Sequence, residues 1–141
     1  MNTHRHFLEL PGLTVSVDRV VYHAEAQTPL DRPHCFVYFI TIHNRTEHTI
    51  TIRGRKWVVT NERGEITAVE GAGVVGKTPL IEPGSSFSYD SYHLLDTLTA
   101  IAEGSYLGSD EKGRGVIARI PKFRMEVPQK GSPGGRTLHT R

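Results

Sequence analysis

The chain has 141 residues, 37% of them hydrophobic, with 17 basic against 15 acidic side chains for a net charge of +2, and a single cysteine, Cys35. That length fits one domain with a continuous core. One thiol rules out an internal disulfide and a four-thiolate zinc site, and no apolar run approaches the length of a membrane span. Three of the positive charges, Lys130, Arg136 and Arg141, lie in a Gly/Pro/Ser/Thr-rich stretch without any acid. The basic excess is therefore a property of a tail, expected to be disordered over 129–141, and argues against a nucleic-acid surface on the folded part. The first residues carry no apolar signal region, so a flexible leader over 1–10 and a cytoplasmic protein without membrane contact are expected.

Between leader and tail, over 11–128, short segments alternate apolar and polar residues, and none shows a helical period. Residues 13–17 place Leu13, Val15 and Val17 on one face, and the pattern resumes at Val20. Over 35–43, Phe36, Tyr38, Ile40 and Ile42 share one face while Val37 and Phe39 take the other, which marks a central strand. Over 49–60 the apolar positions move from even (Ile50, Ile52) to odd (Trp57, Val59), and Gly54 between them predicts a β-bulge. A turn at 61–64 leads to a short strand at 65–69. After Pro83 and Gly84 a further strand carries Phe87 and Tyr89, and two more follow at 99–107 and 116–127. In the last of these Val116, Ala118 and Ile120 give way to Phe123, Met125 and Val127 across Pro121, again the mark of a bulge or an edge. About seven antiparallel strands without crossover helices predict an all-β sandwich of immunoglobulin or fibronectin type III type.

Residues 70–79 contain Gly71, Gly73 and Gly76 in the spacing G-x-G-x-x-G. In a dinucleotide-binding unit such glycines follow a strand and open a helix whose N-terminus holds the pyrophosphate. Here Pro79, Pro83 and Gly84 follow, and no helix can start there.

The same glycines, taken with Trp57, Val74, Val75, Pro79, Pro83, Gly84, Phe87, Tyr89, Tyr106 and Pro121, resemble the ApaG domain family from about residue 13 to Pro128. Ala100, Ala102 and Thr78 depart from its usual residues. The resemblance implies a fibronectin type III-like sandwich with no established enzymatic activity. It also implies a loose link to cobalt and magnesium resistance, and protein interaction as the role of related domains in larger proteins.

Three site chemistries follow from the residues. The glycine loop, with Gly71, Gly73 and Gly76 free to turn their amides to one side and Lys77, Arg53 and Arg55 supplying charge, is a candidate ligand or partner site. It could hold a phosphate-containing molecule such as a nucleotide or pyrophosphate, or a divalent cation. Alternatively the glycines only serve a tight turn between sheets, or the loop forms a protein-binding face together with Trp57 and the region of Tyr106, although a tryptophan in the third strand of such a sandwich is more often a core residue. Third, His43 and His48 bracket residues 44–47; a hairpin there would set them opposite each other, with Glu47 as a third metal ligand. Asp90, Ser91 and His93 lie close in sequence, but Ser91 and His93, two positions apart on one strand face, diverge instead of hydrogen-bonding as a nucleophile and base must, and His34 points away from Cys35. The expectation is a non-enzymatic binding or regulatory module without a cofactor, whose partner is another protein. Its open sheet edges are compatible with a dimer.

Overall fold

A computed structural model of the chain describes residues 7–129. It contains nine strands: β1 (Leu8–Glu9), β2 (Leu13–Tyr22), β3 (His34–Asn44), β4 (Ile50–Asn61), β5 (Ile66–Ala72), β6 (Leu80–Ile81), β7 (Ser86–Leu95), β8 (Thr99–Ser109) and β9 (Gly115–Glu126). They form two sheets, one in the order β1-β9-β8-β4-β5 with β6 also on β4, the other β2-β3-β7. This is the expected all-β, fibronectin type III-like sandwich. Two strands have only two residues each, too short to show a period. One of these, β1, pairs in parallel with β9, so the folded part begins inside the expected leader. Residues 1–6 of the leader and all but Gln129 of the expected tail lie outside the described residues. No helix among the described residues is long and apolar enough to cross a membrane.

The alternation read from the sequence is physically the inward face of each strand. Phe36, Tyr38, Ile40 and Ile42 of β3 are all buried, and β3 is the middle strand of its sheet. On β4 the register against β8 slips between Ile52 and Gly54, which rotates Trp57 inward where an unbroken strand would have turned it out. Trp57 is only 2% exposed. On β8 and β9, Ala102 pairs with Phe123 and Gly104 with Ile120. Pro121 and Lys122 thus stand opposite the single residue Glu103, and proline's missing N–H falls in a bulge. Tyr38, Trp57 and Phe123 form the aromatic centre, with Tyr38 and Trp57 ring centroids 4.9 Å apart.

The connection from β3 to β4 corrects one expectation. Residues 44–47 do not make a hairpin, because β3 and β4 lie in different sheets. The chain there crosses from one layer to the other, and a crossing buries backbone polar groups that no ladder can satisfy. Asn44, fully buried, supplies the partners. Its Nδ2 donates to the carbonyls of His48 and Ile81 at 2.7 and 2.9 Å. Its Oδ1 accepts from the amide and hydroxyl of Thr46, and its own backbone joins Ser85 and Gly84.

Replacing Asn44 with Ala removes the side-chain partners of Thr46 and of the His48 and Ile81 carbonyls, the last of them buried. Asn44→Ala is expected to cost about 3 kcal/mol of stability, measured as a shift of the urea midpoint with an unchanged slope.

Candidate functional site

The two sheets differ in width, and the glycine loop hangs from the wider one. β5 is the last strand of the larger sheet, and residues 66–70 are exposed on both faces, because the smaller sheet ends at β7 and does not reach beneath it. Val69 pairs with Trp57 and Thr67 with Val59, so these two share the inward face of β4. Between them and β7 opens a cleft of about 670 Å³, lined among others by Trp57, Val69, Tyr92 and His93 and rimmed by Asp31, Glu65 and Asp96.

Past β5 the glycines build a tight hairpin. Gly73, Val75 and Gly76 have φ of 68°, 44° and 80°. Val74 and Lys77 exchange both backbone hydrogen bonds, at 2.7 and 2.9 Å. Two positive φ values between a bonded pair are the signature of the two-residue turn whose twist matches a sheet. Gly73 has no room for a side chain, since a Cβ there would lie 2.5 Å from the Lys77 carbonyl oxygen. Its amide donates to Arg53 O at 2.7 Å. Val74 is fully buried and anchors the turn, while Val75, Gly76 and Lys77 face outward.

The two arginines support the loop from within. Arg55 donates through Nη1 to the carbonyls of Ala72 and Gly73 at 2.9 and 3.2 Å. Its guanidinium fills the space where a Gly71 side chain would stand. Arg53 donates to Ser109 Oγ at 2.7 Å. Below Arg55, the hydroxyls of Tyr89 and Tyr106 are hydrogen-bonded to each other. Burial holds both phenols well above their ordinary pKa, against the lowering effect of the Arg55 charge.

Of the residues proposed from the sequence, Gly71, Gly73, Gly76, Lys77, Arg53 and Arg55 thus gather at one loop, but with divided roles. Gly73, Val74 and Lys77 amides are consumed by the loop and by Arg53, and both arginines are engaged. Lys77 is the outward charge. Trp57 and Tyr106 do not contribute to a surface; both are buried in the core.

The histidine pair is separated by the layer crossing. His43 Nε2 lies 3.0 Å from Ser16 Oγ on β2, while His48 Nδ1 bonds Glu111 Oε2 at 2.8 Å in the turn between β8 and β9. Among the described residues no group of three His, Cys, Asp or Glu side chains could hold a metal ion. Ser16, His43 and Asp18 form a contact that no local pattern reveals, because it depends on the pairing of β2 with β3. The Ser16 hydroxyl donates to Asp18 at 2.7 Å, so its proton is directed to a carboxylate rather than to the imidazole, the reverse of an activated nucleophile.

This loop geometry, on a fibronectin type III-like sandwich, coincides with one sequence family. The profile described as the ApaG domain matches residues 24–110. The chain belongs to the ApaG family. Protein ApaG of Deinococcus radiodurans is 39% identical over 122 residues, covering 86% of this chain and 93% of its own length. A structural-genomics target solved by X-ray crystallography superposes with a TM-score of 0.76 at 35% identity, covering 85% of this chain and 89% of the other. A Bordetella pertussis protein solved under the name ApaA gives 0.75 at 32%, covering 84% and 95%. None of these names carries an activity.

The cleft holds one titrating group of consequence. His93 packs against Trp57 and Tyr38 with ring centroids 4.6 and 4.8 Å away, and its Nε2 is buried without a partner among the described residues. Burial pushes its pKa down from 6.5 to about 4. The unfolded chain, with an ordinary imidazole, takes up a proton as pH falls through 6.5, and the folded chain does not until about 4. Stability is thus fully present above pH 6.5 and falls by up to about 3 kcal/mol between 6.5 and 4. Glu65, bonded by Asn61 and Arg63, and Asp96, bonded by Arg63, are held below the usual carboxylate range, so their contribution is present above the ordinary carboxylate pKa and is lost as pH falls below it. Thermal unfolding of His93→Phe is expected to lose most of this dependence; an equal loss in both proteins would refute the assignment.

Proposed function

We infer that this ApaG-family chain is a non-enzymatic recognition module that docks another protein through the tip of its glycine loop. The observation that carries this is Val75. A β-branched residue at positive φ is disfavoured by about 1–2 kcal/mol, and the next residue, Gly76, is the kind the turn prefers. Val75 contributes nothing to the core in return, being 48% exposed. Backbone strain at an exposed position points to what the side chain presents. Leu80, 60% exposed on β6, and Lys77 complete a small apolar and cationic face on the same segment, a composition suited to a protein partner.

The phosphate reading draws on the same loop but has fewer donors to offer, since three of its amides and both arginines are already bonded. Turn-tip amides and Lys77 would have to suffice.

Val75→Asn separates the alternatives. Asn followed by Gly76 is the preferred pair for this turn, so the variant is expected to gain about 1 kcal/mol and a few degrees in Tm. At the same time, affinity purification with the full chain as bait, with and without divalent cation, should show a partner retained by wild type and reduced at least tenfold with the variant. Titration with pyrophosphate or ATP should leave the amide resonances of residues 73–77 unmoved. A shift there, reduced by Lys77→Ala, would overturn the protein-docking reading in favour of a phosphate ligand. Partner retention unchanged in Val75→Asn would remove the tip from the interface.

A further inference from the structure

The outer edge of β5 is open among the described residues. It is seven residues long, paired with β4 on its inner side and exposed on both faces over residues 66–70, and carries no Pro or Lys to discourage pairing. Beneath it lies the cleft floored by Trp57 and His93. Two acids lie five positions apart along the edge: Glu65, just before the strand and on the cleft side, and Glu70 on the opposite face. The hydrogen bonds Glu65 receives from Asn61 and Arg63 fall on Oε1. Glu70 meets only Lys56, at 3.7 Å, among the described residues.

The chain leaves the sandwich at the end of β5 where that strand begins. Glu126 pairs with Thr99, Ala100 with Asn61, and Thr60 with Ile66; Val127 then donates to Leu98 O at 2.8 Å. Four strand spacings of about 4.8 Å, roughly 19 Å in all, separate β9 from a strand laid outside β5. Residues 128–135, rich in Gly and Pro, can span up to about 26 Å. Beyond them stands Arg136-Thr137-Leu138-His139-Thr140-Arg141, with two arginines five positions apart and no acid.

We propose that residues 136–141 add to the free edge of β5 as a parallel strand of the same chain, with Arg136 beside Glu65 and Arg141 beside Glu70. In that register Leu138 falls beside Thr67 and Thr140 beside Val69, on the side that faces the cleft. The preformed edge supplies the backbone partners and the cleft supplies the apolar contact. The strand guards an edge that would otherwise pair with other chains. It stands on the edge, the charges and the reach of the chain, and does not depend on what the loop tip binds.

The test is hydrogen exchange at single-amide resolution on the full chain. Every second amide of β5 points away from β4, and the alternate amides, bonded to β4, report that the sheet is intact. The outward amides are expected to exchange at least about tenfold more slowly in wild type than in the double variant Arg136→Glu, Arg141→Glu. Leu138→Ser should give a partial loss. A spin label at residue 139 should broaden the resonances of residues 66–70 in wild type and not in the charge-reversed background. Equal exchange of the outward amides in all three proteins overturns the proposal. So does protection that grows with protein concentration, which would assign the added strand to a second copy.

Discussion

Five strand positions face three in this sandwich, and most of what is distinctive about the surface follows from that mismatch. A sheet face that packs on a partner layer is dry and apolar; one that overhangs must be soluble while its backbone edge stays open. β5 carries Thr67 and Val69 on the overhanging side, with Glu65 just before them, where β4 one strand inward carries Trp57 and Val59. The gradient from dry to wet occurs across a single strand spacing. It produces the cleft, and it also explains why a core tryptophan and an imidazole lie within reach of an opening. At the other edge the mismatch is absent, because β2 packs against β9 and β1 extends the sheet beyond it.

The glycine loop depends on the same overhang. Where the overhang of residues 66–70 ends, the chain turns back to bury Val74, and Arg55 secures this return by bonding two carbonyls from the neighbouring strand. That arrangement explains two of the glycines by crowding and not by ligand chemistry. Gly71 yields its side-chain space to the guanidinium, and Gly73 passes too close to the Lys77 carbonyl for any side chain. A spacing that elsewhere wraps a pyrophosphate here accommodates an arginine from below and a two-residue turn above. Function, on this account, belongs to what the turn exposes and not to what the glycines enclose.

The strands were legible because alternation is local: each inward face could be read from five or six consecutive residues, and two of the three register shifts showed themselves as a change of parity at Gly54 and at Pro121, the third lying between Val17 and Arg19 of β2. Family membership was legible in the spaced glycines and aromatics. What could not be read depended on pairing across the chain. Nothing near His43 or His48 says that the strands on either side enter different layers, since residues 44–47 have the composition of an ordinary hairpin turn; only Asn44, with its four side-chain bonds, betrays the crossing once its surroundings are seen. The Ser16 and His43 contact was hidden for the same reason. Val75 escaped notice because valine is a poor marker of positive φ, and β1 and β6 because two residues have no period.

The sole tryptophan of the chain sits edge to face with His93. An imidazolium quenches indole emission by accepting an electron from the excited ring, whereas a neutral imidazole does so weakly. The folded protein therefore contains its own optical reporter of the interior of the cleft. Its fluorescence should respond to entry of water or a side chain between the layers before any global transition, without an added dye.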